Sequence, residues 1–343
     1  MAQALAALAA YPYLSGAVIY GILVPLINHH GLDDAAHNRG LGKWHLQRLL
    51  RLQVSLWELV RTAGKHGRLV ISSRIFNLTC PFRQSHSFGR RQPQLLLDTY
   101  HRPGQAKSAA LSGPVLFFVY GGAWNSGDRA MYSKVALFGQ NVGFDVVVLD
   151  YTLYPHEQTA EGQLEDVLEG IEWVFAHQEV TTMMIAGHSA GAHLASLAYL
   201  AGKRRGSSWL DRVTGLLLLS GVYDIERHYE WEAGRGVEAI SCMGRFLEPW
   251  RANSPRHQPT DQGLSLHDAP RTVVVHGDDD EVVPETQSFD LVDSWRAAGH
   301  RSISFLQIGG DHFQTVRELM LETSVAQEMY WNTLKLPRAT SRL

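Results

Sequence analysis

Three stretches of this chain hold side chains that nucleophilic chemistry needs. One is a serine between glycines, one a run of carboxylates, and one a histidine on a glycine-rich loop. The serine is Ser189, in Gly187-His188-Ser189-Ala190-Gly191. Residues 183–186 before it are apolar and predict a buried strand, and the small-residue run 190–200 after it predicts a helix. A sharp strand-to-helix turn strains the middle residue and leaves room only for glycine on either side. The turn lifts the serine oxygen clear of the sheet edge and aims the next amide, that of Ala190, at a developing oxyanion. In a plain loop the same residues would be an ordinary turn; the strand and helix around them favour a nucleophile.

The other stretches also follow strand-like runs. Tyr120-Gly121-Gly122-Ala123-Trp124 comes after the apolar residues 115–119. Its glycines leave the amides of Gly121, Gly122 and Ala123 unshielded, and with the Ala190 amide these would form an oxyanion hole. Each such donor is worth about 2.7–4 kcal/mol in a transition state. After the apolar residues 273–275 comes His276-Gly277-Asp278-Asp279-Asp280-Glu281-Val282-Val283-Pro284. Four adjacent carboxylates cannot all be buried, because like charges repel and desolvation opposes ionisation. One turns inward and the others stay solvated; the run itself does not say which, and it lacks the pattern of a dedicated calcium loop. The third stretch is Ile308-Gly309-Gly310-Asp311-His312-Phe313. Imidazole titrates near neutral pH without much tuning, so His312 is the candidate general base. Asp311 is a rival acid, although adjacency to His312 makes that geometry awkward. His188 and His193 read as packing or helix-surface residues, His276 as support for the carboxylate loop, and Asp150-Tyr151 as bracing.

These loops need a scaffold. Apolar runs at 95–97, 115–119, 146–149, 183–186, 216–219, 273–275 and 303–306 predict strands. Helical patterns at 163–177, 190–200 and 313–334 alternate with them. Continuous apolar strands between amphipathic helices mean a mostly parallel sheet covered on both faces, with its site beyond the carboxyl ends of the strands. The polar stretch 83–94 reads as a linker into this domain. A length of 343 residues suits one large α/β domain with an appendage, and a net charge of −3 excludes a basic nucleic-acid binder. Two cysteines, Cys80 and Cys242, read as buried thiols, and no Cys/His spacing suggests zinc.

Residues 1–32 carry no Asp, Glu, Lys or Arg. The apolar run 4–27 is long enough to cross a bilayer, against which stand Gly16, Pro12 and Pro25. Residues 44–60 then predict an amphipathic helix with Trp57 on its apolar side and Arg48, Arg51 and Arg61 beside it. Two readings follow. In one, residues 1–60 tether the protein to a membrane, with the basic residues after the apolar run placing the rest on the cytosolic side. In the other, the arm packs on the main domain and the helix caps an active-site mouth. Asn77-Leu78-Thr79 matches a glycosylation sequon and is read as a chance match.

From about Gln94 onward the chain resembles the α/β-hydrolase superfamily, in its esterase and formamidase branch. The resemblance rests on Tyr120-Gly121-Gly122-Ala123-Trp124, where that branch usually has His-Gly-Gly-x-Trp, on the Ser189 motif, and on the match of His276 to Pro284 with His-Gly-x-x-Asp-x-x-Val-Pro. It implies an α/β-hydrolase fold with a cap at about 223–270, a hydrophobic and amphipathic region at 1–90 and a catalytic domain at 91–343. It selects Asp280 as the acid, in the family order Ser189, Asp280, His312. Ser220 to Asp224 and the stretch 228–243 resemble prenylcysteine methylesterases. Asn253-Ser254-Pro255 and Gly310 to Phe313 resemble kynurenine formamidases as well. The implied activity is hydrolysis of a carboxylic ester through an acyl-enzyme, with a prenylcysteine methyl ester as substrate. The alternative is an arylformamidase acting on N-formylkynurenine. A rival of another class is a catalytically inactive hydrolase fold used for binding, against which the intact Ser/Asp/His set argues. The implied chemistry uses no cofactor and no metal, and the implied location is an endomembrane surface facing the cytosol, or otherwise the cytoplasm. The departure from the family is Tyr120, a phenol where the usual histidine holds the oxyanion loop.

Overall fold

The computed structural model describes residues 46–102, 104, 110–238, 241–325 and 329. The apolar arm expected at 1–32 lies outside them. Eight strands form one sheet: β1 Arg83–Ser87, β2 Leu96–Tyr100, β3 Ser112–Val119, β4 Asp145–Leu149, β5 Glu179–His188, β6 Val213–Leu219, β7 Arg271–Gly277 and β8 Ile303–Ile308. Their order is β1-β2-β4-β3-β5-β6-β7-β8. The first two are antiparallel to their neighbours, and β4, β3 and β5 to β8 run parallel. The longer helices among the described residues are α1 Leu46–Thr79, α2 Val135–Asn141, α3 Ala160–His177, α4 Ala190–Arg205, α5 Ile225–Arg235, α6 Thr286–Ala297 and α7 Gln314–Met320.

Every residue of β4 is buried, as are the last five of β3 and of β6. Successive strand side chains point to opposite faces, so both faces of the sheet are covered. That burial is why these strands read as unbroken apolar runs. Parallel order places the carboxyl ends of β3, β5, β7 and β8 at one edge, and the four candidate loops emerge there.

Three expectations need correction. The stretch 83–94 is not simply a linker, because its first half is the edge strand β1, antiparallel to β2. It has no apolar run because its partner is polar: Arg83 Nη1 donates to the buried Asp98 carboxylate at 3.1 Å, and His86 meets Thr99 Oγ1 at 3.0 Å. The helix expected at 313–334 stops at Met320. Glu322 takes a left-handed φ of 56°, and Thr323 N donates back to Glu318 O at 3.3 Å, a helix-ending turn. The helix expected at 44–60 runs on to Thr79. Gly64 and Gly67 do not end it, since tertiary contacts hold its second half: Ser133 Oγ donates to Ser73 O at 2.7 Å, and Asn77 Nδ2 donates to Asp98 Oδ2 at 2.8 Å and to Tyr100 Oη at 2.7 Å. Asn77 is thus buried and hydrogen-bonded, which leaves the sequon without an available amide. The cysteines are free and buried, as expected.

Candidate active site

Ser189 sits between β5 and α4 with φ 54° and ψ −124°. The strain is held by packing. A Cβ at Gly191 would lie 2.1 Å from Val119 O, and one at Gly187 would lie 2.4 Å from Gly191 O. Only glycine permits so close an approach. The Ser189 amide is fastened to Leu219 O at 2.8 Å.

His312 reaches the serine from the loop after β8, its Nε2 standing 2.9 Å from Ser189 Oγ. On its other side Nδ1 is 2.7 Å from Asp280 Oδ2. With a carboxylate at Nδ1, the proton belongs on Nδ1 and Nε2 is left to accept from the serine hydroxyl. Asp280 is the carboxylate of the four that turns inward, and its side chain has no exposed surface. Its second oxygen accepts from Val282 N at 2.9 Å and Val283 N at 2.8 Å. Burial would raise its pKa, but His312 and His276 outweigh it and hold the carboxyl well below the usual range. Asp311 turns away, toward His66 and Lys65 of α1.

Gly121 lies against the nucleophile, because a Cβ there would stand 2.8 Å from Ser189 Cβ. Gly122, Ala123 and Trp124 all have positive φ. Their carbonyls are tied down: Gly122 O accepts from Ser126 N at 3.0 Å, Ala123 O from Cys242 Sγ at 3.3 Å, and Trp124 O from Gln163 Nε2 at 2.8 Å. Ala190 opens α4 beside Ser189. In place of the family histidine, Tyr120 is buried and stacks on Tyr151 at 4.6 Å and on Tyr132 at 6.0 Å. The Tyr151 hydroxyl donates to Tyr120 O at 3.1 Å. A stack of phenols therefore fixes the start of this loop.

The histidines read as packing residues have more definite tasks. His188 Nε2 donates to His312 O at 3.0 Å, and its Nδ1 faces the Tyr132 hydroxyl at 3.3 Å. Burial, with the nearby His312 adding, pulls its pKa down to about 3, so it stays neutral. His193 accepts from Trp124 Nε1 at 3.2 Å and donates to Asn253 O at 2.7 Å, joining the Gly121–Trp124 turn to the 223–270 segment. His276 holds Val283 O at 3.0 Å and Ser288 Oγ at 2.7 Å, supporting the acid loop. Asp150 braces Arg129, accepting from its amide at 3.0 Å. The long-range partners of His188 and His193 carry no spacing signal in the sequence, although their place beside Ser189 was visible.

The family model BD-FAE matches residues 97–227, the part of the chain that contains the Gly121–Trp124 turn and Ser189. A solved structure, esterase B from Lactobacillus rhamnosis, superposes with a TM-score of 0.59 at 19% identity, over 83% of this chain and 93% of that one. The chain has the α/β-hydrolase fold. Among curated proteins, this chain is 26% identical to the kynurenine formamidase of Drosophila melanogaster, over 78% of this chain and 85% of that protein. It is 30% identical to esterase LipC of Mycobacterium tuberculosis, over 64% of this chain and 56% of the relative. It is 27% identical to the isoprenylcysteine alpha-carbonyl methylesterase ICME of Arabidopsis thaliana, over 58% and 50%. The chain thus spans about half the length of these mycobacterial and plant relatives.

Proposed function

We propose that this protein, on its α/β-hydrolase fold, is a serine carboxylic ester hydrolase. The observation that carries the reading is the hydrogen-bonded chain from Ser189 Oγ through His312 to Asp280. Ser189 Oγ attacks the ester carbonyl carbon while its proton passes to His312 Nε2. The tetrahedral oxyanion meets the amides of Gly122, Ala123 and Ala190. Collapse breaks the carbon–oxygen bond to the alcohol, which takes the proton from Nε2 and leaves the acyl-serine. Water enters, gives its proton to Nε2, and the acid departs as Ser189 regains its proton. Asp280 orients the imidazole and stabilises its charged form.

The substrate we favour is a prenylcysteine methyl ester, on the resemblance of residues 220–243 and the match to the plant methylesterase. The second reading, an arylformamidase, is favoured by the 85% coverage of the fly formamidase. Turnover of prenylcysteine methyl ester, N-formylkynurenine and short p-nitrophenyl esters, each by wild type and Ser189→Ala, tests both. Preference for the formyl amide would replace the ester reading. A folded wild type inert on all three and unlabelled by a fluorophosphonate would be the binding protein.

We also infer association with an anionic lipid surface. Val54, Trp57, Ile71, Ile75 and Leu78 are exposed on α1, opposite the buried Ser55, His66, Ser73 and Asn77. Arg61 and Arg68 lie along the same exposed side, and basic residues near such a surface contribute about 1 kcal/mol each. No helix among the described residues is long and apolar enough to cross a membrane, so this contact would lie in the interface plane. The full chain should float with phosphatidylserine vesicles and release on Trp57→Glu/Ile75→Glu. A wild type that stays at the bottom of the gradient would end this reading.

A further inference from the structure

Helix α1 grips the residues on either side of His312. His66 Nε2 lies 3.0 Å from Asp311 Oδ1 and 3.2 Å from Oδ2, and Lys65 Nζ lies 3.3 Å from Oδ2. The His66 and Asp311 side chains are only 10% and 13% exposed, so their attraction is screened less than that of a surface pair. The His66 ring also stands 5.3 Å from that of Phe313, whose ring is edge-on to His312 at 5.3 Å. Asp311 passes the grip to the backbone, its Oδ1 accepting from Phe313 N at 3.2 Å.

The rest of this loop is held from the sheet side. Asp278 Oδ1 accepts from Gly310 N at 2.8 Å, and His312 O accepts from His188 at 3.0 Å. Asp311 thus supplies the outer restraint. Burial opposes its charge, yet His66 and Lys65 outweigh burial and keep its pKa below the ordinary value.

We propose that His66 and Lys65 clamp Asp311 and so position His312, making α1 a working part of the active site rather than a dispensable appendage. The clamp rests on the reading of Ser189, His312 and Asp280 as a catalytic triad. His66 is a positioning residue, acting through Asp311 and the loop. A displacement near 1 Å of a catalytic group costs roughly 10²-fold in rate, and a loosened loop that still samples the right geometry loses less.

The test measures kcat and KM on a short p-nitrophenyl ester, in the full chain, for His66→Ala, His66→Gln, Asp311→Ala and the double alanine variant. His66→Ala should lower kcat about 10- to 100-fold and leave KM within about twofold. His66→Gln, which keeps a donor near the Nε2 position, should restore most of the loss. The double variant should be no slower than Asp311→Ala alone, since both changes break one contact. Thermal unfolding checks that each variant is folded. A folded His66→Ala enzyme with kcat within about twofold of wild type, or losses that multiply in the double variant, would overturn the clamp alone. A folded wild type that neither turns over esters or formamides nor takes a fluorophosphonate would overturn the triad reading, and the clamp with it.

Discussion

Replacing Asp280 by asparagine changes one atom and forces a choice that the surrounding donors decide. One carboxylate oxygen accepts from the Val282 and Val283 amides at 2.9 and 2.8 Å. The other faces His312 Nδ1 at 2.7 Å and His276 Nε2 at 3.1 Å. An asparagine oxygen turned to His312 would set the amide NH₂ against two backbone donors, each costing about 1–3 kcal/mol when buried and unsatisfied. The opposite orientation satisfies both backbone amides, and His276 keeps Val283 O at 3.0 Å. It turns NH₂ toward His312, which must then accept at Nδ1 and carry its proton on Nε2. That proton faces Ser189 Oγ and bars the imidazole from acting as base. The expected loss is about 10⁴ in kcat, or ~5.4 kcal/mol. Asp278→Asn can still accept from Gly310 N through its amide oxygen, and a change near 1 kcal/mol means a loss below about tenfold. The assay is kcat and kcat/KM on a p-nitrophenyl ester for Asn at 278, 279 and 280, with Tm for each. A folded Asp280→Asn enzyme retaining more than about 1% of wild-type kcat would refute the reasoning. Equal damage from Asp279→Asn would do the same.

Ser189→Ala should abolish fluorophosphonate labelling while leaving Tm close to wild type; persistent labelling at another residue would displace the nucleophile. Acid should destabilise the protein through His188. The unfolded imidazole gains its proton near 6.5 and the buried one only near 3, so this contribution is complete above pH 6.5 and is lost as pH falls toward 3. His188→Gln should flatten the fall of Tm across that window, and parallel slopes would count against the assignment. Glu232 acts in the opposite sense. Burial raises its pKa from 4.5 to about 8, so stability declines as pH rises through that range. Glu232→Gln should raise Tm at pH 8 relative to pH 5, and an unchanged difference would refute it.

The sequence by itself determined the parts of this protein whose cause is local. Buried parallel strands must be apolar on both faces, so β3 to β7 were visible as short hydrophobic runs. The Ser189 turn was visible because Gly187 and Gly191 answer a contact that nothing larger can make. Which of four adjacent carboxylates turns inward was not local. Only the resemblance selected Asp280, and the tertiary structure places it under His312 with two amides on its other oxygen. The edge strand β1 escaped notice because its partner is a buried aspartate, which selects polar residues. The length of α1 escaped for a related reason: its second half is held by Ser133, Asp98 and Tyr100 more than by its own periodicity. The contacts from His188 to His312 and from His66 to Asp311 join residues 124 and 245 positions apart. A polar pair of that kind leaves no period or spacing in the chain, because the fold alone decides which donor meets which acceptor.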